Sequence, residues 1–253
     1  MRVRPSLVSI LAALAMTLGP VLPSSAASNP FGAKTPAQIL ELAATAMKSS
    51  GSVHYVSSDS YGGVVQITLS TDSSLTKGVQ TQKLGGGTET SRFLRSALYI
   101  FGDKTSYAQD FGVKNTKLAN EWVLVPTSNK NYANIAVGIL LTSVLQQVKG
   151  VSAPKDLGVF KIDGLETVAI KDSLSFSTGA SGGSQTLYFS TTAPYRPLAL
   201  TDAGVVSGQK VSSVVVSSKW GEKIAVTKPR SSSRRRPSPS RNSVGYDVRA
   251  TRA

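Results

Sequence analysis

The 253-residue chain contains no cysteine and a single histidine, His54. Without thiols there is no disulfide framework and no thiolate metal site, so stability has to come from a packed core. A lone histidine excludes a multi-histidine metal centre and leaves any serine–histidine chemistry dependent on one ring, which the neighbouring Tyr55 pattern places in a short strand. Tryptophan occurs only at Trp122 and Trp220, where a large ring on a strand stabilises cross-strand pairs more readily than it marks a ligand. Acidic residues are scarce, 14 against 28 Lys and Arg. Asp103, Asp110, Asp156, Asp163, Glu166 and Asp172 mostly adjoin Gly, Lys or turn residues, and their spacing matches neither a calcium loop nor a metal-binding helix.

Glycine-rich stretches carry no catalytic pattern either. Gly182-Gly183-Ser184 precedes a strand pattern, whereas a nucleophile elbow feeds a helix, so a hydrolase is not expected. Gly85-Gly86-Gly87 is followed by Thr-Glu-Thr and a strand, which makes it a bend and not a dinucleotide cradle. No catalytic residue, metal site or cofactor is implied.

What is present begins with an export pattern. Arg2 and Arg4 precede an apolar run from Leu7 to Leu22, and Ser25, Ala26 and Ala27 offer small residues to a signal peptidase. The run is short for a full hydrocarbon span and contains Gly19 and Pro20. The expected division is a signal peptide over 1–27, a linker over 28–34, one domain over 35–227 and a basic disordered tail over 228–253. No cysteine follows the apolar run, so an exported protein without a lipid anchor is expected.

The formal charge of +14 is unevenly spread. From Lys228 onward there are eight Lys or Arg and one Asp, a surplus of seven, and the leader adds two, so only five remain for the body. The tail has no apolar run with which to offset the entropy of ordering. Arg230, Arg234, Arg235, Arg236 and Arg241 form a positive cluster suited to weak contact with an anionic membrane surface or envelope polymer. Tyr246 is its one aromatic residue, which gives no stacking platform, and nucleic acid is not an expected partner.

Thr35-Pro36-Ala37-Gln38 is a helix start, with a hydroxyl cap, Pro at the first position and Gln at the capping-box position. Ile39, Leu42, Ala43, Ala46 and Met47 then form one helical stripe that should lie against a sheet. From Gly51 the period turns to alternation, with Val65, Ile67 and Leu69 expected on one face. Further strands are expected near 52–57, 74–82, 88–94, 96–101, 105–109 and 121–125, and again near 158–162, 165–171, 173–177, 185–191, 196–200, 209–217 and 222–226. The connections are too short for crossover helices, so the strands should form an antiparallel meander. Between Asn131 and Gly150 a second helix is expected, apolar on nearly every side and too short to cross a bilayer. The fold class is therefore α+β: one strongly curved antiparallel sheet, a half-open barrel, with helices packed on or across its concave face.

The order of Ala46-Met47-Lys48-Ser49-Ser50-Gly51-Ser52-Val53-His54-Tyr55, Trp122-Val123-Leu124-Val125-Pro126, Asp163-Gly164-Leu165-Glu166-Thr167-Val168, Leu187-Tyr188-Phe189-Ser190 and Ala193-Pro194-Tyr195-Arg196-Pro197-Leu198 resembles actinobacterial exported proteins of the LppX/LprG kind. These are related in fold to the lipoprotein carriers LolA and LolB. The resemblance covers about residues 35–227 and implies a half-open antiparallel barrel whose hollow holds acyl chains. Relatives often carry a lipobox cysteine, which this chain lacks, and the basic tail lies outside the family pattern.

Two readings follow. The first is non-enzymatic binding or transport of a lipid or acylated molecule in the cell envelope, with Val65, Ile67 and Leu69 from the sheet and Ile135, Ile139 and Leu140 from the second helix lining the cavity. The second is a structural or protein-binding module whose own side chains fill that space. Tyr195 and Arg196, bracketed by Pro194 and Pro197, suffice on either reading to hold a turn.

Overall fold

A computed structural model describes residues 34–229 except 112, 130–131, 163 and 177–179. The expected signal peptide and most of the basic tail, including Arg230, Arg234, Arg235, Arg236 and Arg241, lie outside the described residues.

Helix α1 (Pro36–Ser50) begins as its sequence dictates. The Thr35 hydroxyl accepts from the Gln38 amide at 3.3 Å, and Gln38 Oε1 accepts from the Thr35 amide at 2.8 Å. Gly51 ends it in the left-handed region, φ 73°, with its N–H donated to Met47 O. The helix buries Ile39, Leu40, Ala43 and Met47.

Among the described residues eleven strands form a single sheet. They are β1 (Ser52–Tyr61), β2 (Val64–Ser74), β3 (Lys77–Leu84), β4 (Gly87–Leu94), β5 (Ala97–Gly102), β6 (Val123–Val125), β7 (Lys155–Ile162), β8 (Leu165–Phe176), β9 (Ala180–Ser190), β10 (Pro197–Val206) and β11 (Gln209–Ser218). The spatial order is β6-β5-β4-β3-β2-β1-β11-β10-β9-β8-β7, antiparallel throughout. Two meanders thus join where the chain's first strand meets its last, and the sheet stays open at β6 and β7. Two-residue turns set this register: Gly62-Gly63 has φ 59° and 81°, and Ser207-Gly208 has 49° and 78°, the positive angles that suit the twist of a tight hairpin.

Four expectations are corrected. The segment at 105–109 is not a strand but lies in helix α2 (Lys104–Phe111), because Asp103 accepts from the amides of Ser106 and Thr88 at 2.9 and 2.6 Å and so starts a helix. The single helix expected after Asn131 is two, α3 (Tyr132–Ile139) and α4 (Leu141–Lys149). Leu140 between them is extended, φ −94° and ψ 148°, and its carbonyl accepts from both the amide and the hydroxyl of Ser143. Residues 165–171 and 173–176 belong to one strand, β8, with 177 outside the described residues, and 222–226 form no strand.

The core is in two parts. One joins α1 and α4 to Val53, Tyr55, Val168, Ile170, Leu187, Phe189 and Leu200. The other joins α2 and α3 to the β4–β6 side through Tyr107, Ile139, Leu98, Ile100, Val123 and Val125. Between them the seam is polar: Tyr55 donates to Gly138 O at 2.6 Å and Ser73 to Ile139 O at 2.8 Å. These bonds take the last carbonyls of α3, which have no partner within the helix.

After β11, Trp220 donates its indole N–H to Pro197 O at 3.2 Å, and Ser52 donates to Glu222 O at 2.7 Å. The segment then reaches Arg92, whose guanidinium bonds Thr227 O and stacks 4.5 Å from the Trp122 ring centre. Trp122 in turn packs on Phe101.

Candidate functional site

Residues directly opposite one another in an antiparallel ladder share a face, so the register assigns every side chain to one side of the sheet. Tyr55 and Ser73 lie on the helix side, since both bond α3. Counting from them, Ser57, Leu69, Gln82, Val215, Leu200 and Leu187 form one cross-strand row on that face. The next row toward the Gly62-Gly63 turn holds Leu84, Ile67, Asp59, Ser213, Asp202 and Gln185.

Ser57, Leu200, Leu187 and Gln185 of these rows are buried, and the rest form an amphipathic surface. Ile67, Leu69, Leu84 and Val215 are half-buried, and so are Asp59, Ser213 and Asp202. The helix contacts with β1–β3 at Tyr55, Ser73 and Gly78 are made toward the other end of those strands. Burial raises the Asp202 carboxyl to about 6; Gln185 hydrogen bonding opposes the rise and the Asp59 charge adds to it. Its Oδ1 is buried without a hydrogen-bond partner. Burial also raises Asp59, against a hydrogen bond from Ser213. At one end of the first row Glu89 is buried and accepts from Ser91 at 3.1 Å, and beyond the second row the buried Asp172 accepts from the amides of Ser152, Ala153 and Ser173.

The six apolar positions expected to line one hollow do not come together. Asp59 pairs with Ile67, but Ser60 pairs with Val65, because a bulge adds a residue to β2. Ile67 and Leu69 therefore face the helix side, while Val65 faces the other side and is 46% exposed. Ile139 is fully buried in the second core part and Ile135 packs against it. Leu140 is the half-buried break between α3 and α4. Asp59 and Asp202 lie beyond the strands that the sequence pattern marks at 52–57 and 196–200. Continuing the alternation from Tyr55 through Ser57 would have found Asp59.

His54 lies on the outer face, with Nδ1 at 2.7 Å from Asp72 Oδ1. Ser218 is its register partner on the other side, on β11. Gly179-Ala180-Ser181-Gly182-Gly183 has the spacing of a nucleophile elbow, but β9 runs from Ala180 to Ser190, so no strand-to-helix turn follows the serine. Among the described residues no group of three or more His, Asp or Glu could hold a metal ion, and no helix is long and apolar enough to cross a membrane. An open groove of about 400 Å³ lies between α1 and the β9–β10 connection, lined by Leu42, Ala46, Ser49, Pro194, Tyr195 and Arg196. Tyr195 packs against the first core part, in keeping with a turn-holding role.

No protein-family model matches the chain, and no curated protein matches it. Solved structures do. The Mycobacterium tuberculosis lipoprotein LppX aligns with a TM-score of 0.50 at 14% identity, covering 76% of this chain and 98% of LppX. LprF from Mycobacterium bovis gives 0.49 at 16%, covering 77% and 96%. A LolA superfamily protein from Nitrosomonas europaea gives 0.28 at 12%, covering 74% and 93%. The chain thus resembles LppX in fold, as its sequence order implied.

Proposed function

We propose that this protein binds or carries a lipid or other amphiphile in the cell envelope, without catalysis. In this reading the sheet curves strongly about the helix side, the mature protein is exported and unanchored, and Ile67 and Leu69 touch the ligand's apolar part. The observation that carries it is the pair of amphipathic rows across β2, β1, β11 and β10: apolar side chains half-buried beside Asp59, Ser213 and Asp202, on a face whose other end is covered by helices. Apolar contacts would hold chains at roughly 0.8 kcal/mol per methylene, and the polar positions would meet the ligand's polar end. Likeness in fold to a mycobacterial lipoprotein supports an envelope setting. The tail cluster would add weak, salt-sensitive contact with anionic surfaces.

The alternative is a protein-binding module with a filled core, favoured by the burial of Ile139 and the packing of Ile135. Titration with a fluorescent long-chain fatty acid separates the two. Carriage predicts saturable uptake that Leu69→Asp abolishes and Val65→Asp leaves intact, since the bulge sends Val65 to the other face. No uptake, or equal loss in both variants, favours the filled module.

A further inference from the structure

Four of the eight exposed large hydrophobic residues among the described residues, Tyr61, Val64, Val65 and Val205, sit on two neighbouring hairpin tips. The tips are tied together: β1 pairs with β11 up to Tyr61 and Val211, and the Gly62 amide donates to Lys210 O at 2.8 Å. The register places Tyr61 and Val64 on the helix side and Val65 and Val205 on the outer side. Apolar surface therefore flanks the tips on both faces. A flat protein partner would cover one face only; a medium that surrounds the tips covers both.

On the outer face the charges behind the tips have one sign. Residues 60–66 and 203–211 contain no Asp or Glu and include Lys210. One cross-strand row of the outer face carries Lys155, Lys171 and Lys83, running through Thr186, Thr201, Val214, Ser58 and Thr68 with no acidic residue among them. Ser58 lies three residues before Tyr61 on β1, so this row stands about 10 Å behind the tip at the usual strand rise. The carboxylates of the same half of the sheet, Asp59 and Asp202, are on the helix side.

We propose that the joined β1–β2 and β10–β11 tips dock edge-on into an anionic lipid surface, with Tyr61, Val64, Val65 and Val205 in the interface and the lysine row at the level of the phosphates. The proposal rests on the envelope setting of the functional reading but not on the protein holding a ligand. It brings the half-buried part of the amphipathic rows, Ile67, Leu69, Asp59 and Asp202, toward the membrane, where an amphiphile would enter or leave. Four small contacts and a few charges make a weak, reversible association that salt reduces.

The absence of cysteine makes the test clean, because one introduced cysteine is the only labelling site. The full mature chain, tail included, is labelled with an environment-sensitive fluorophore at Val64→Cys, at Val205→Cys, or at Leu165→Cys, an exposed position at the opposite end of the sheet. Vesicles of phosphatidylglycerol and phosphatidylcholine are then added. The expected result is a blue shift and about a twofold emission rise at positions 64 and 205, none at 165, and at least tenfold weaker binding when Lys83→Glu and Lys171→Glu are combined. Equal responses at both ends, vesicle binding with no response at 64 and 205, or no vesicle binding overturns the proposal. Tip insertion by a protein that takes up no fatty acid would retain the proposal and reject carriage, so the two failures are distinct.

Discussion

Asp202 is a carboxylate whose neighbours on the sheet are Ser213 and Gln185, and neither supplies a positive charge. Burial raises its carboxyl to about 6, while an unfolded chain returns it to the ordinary 3.8. The folded state holds the proton more tightly, so this group's contribution is fully present below about pH 4 and is lost as pH rises through 6. In urea unfolding between pH 3.5 and 7.5, Asp202→Asn should flatten that part of the profile and stabilise the protein at neutral pH, by up to about 3 kcal/mol for a two-unit shift. A variant less stable than the parent at pH 7 would show that the ionised form is favoured in the fold. A second residue-scale effect concerns Tyr55, whose hydroxyl takes a helix-end carbonyl. Tyr55→Phe leaves Gly138 O without that donor and should cost about 1–2 kcal/mol by the same measurement, with no pH dependence near neutrality.

At the scale of elements, the seam between the core parts depends on close approach. A Cβ at Gly78 would lie 2.6 Å from Ile139 O and 2.7 Å from its Cγ2, so no side chain fits while α3 stays in place. Gly78→Ala should cost about 1–3 kcal/mol and raise amide exchange in α3 before the β8–β10 strands respond. Uniform exchange across both core parts would instead mean that they unfold together. Elements with a strong local signal were legible in the sequence: the Thr35–Gln38 capping box gave α1, and alternation with tight turns gave the antiparallel order. What was missed is decided by interactions that periodicity does not record. Asp103 turned an alternating stretch into α2 through two amide bonds. A hydroxyl at Ser143 helped divide one apolar run into two helices. One extra residue in β2 moved Val65 to the opposite face, so that position was legible as hydrophobic but not as placed.

For the whole molecule, the segment after β11 closes the fold across its first strand. Trp220 packs on the first core part and bonds Pro197 O, and Arg92 receives the chain at Thr227. Trp220→Ala should cost about 2–3 kcal/mol, below the range for a fully buried ring because the side chain is partly exposed. A chain ending at Thr227 should keep the parent's stability, fatty-acid uptake and tip-mediated vesicle binding while losing the further salt-sensitive part assigned to the tail. Uptake lost with the tail would place the arginine cluster inside the binding function and not beside it.

The central claim is that the amphipathic rows of Ile67, Leu69, Asp59 and Asp202 receive an amphiphile. Native mass spectrometry of the mature protein purified without detergent, followed by organic extraction of the same sample, tests it most directly. The account predicts a bound mass that is released into the organic phase, with that mass depleted in Leu69→Asp. A protein that flies only at its chain mass, yields nothing on extraction and takes up no fluorescent fatty acid would contradict it.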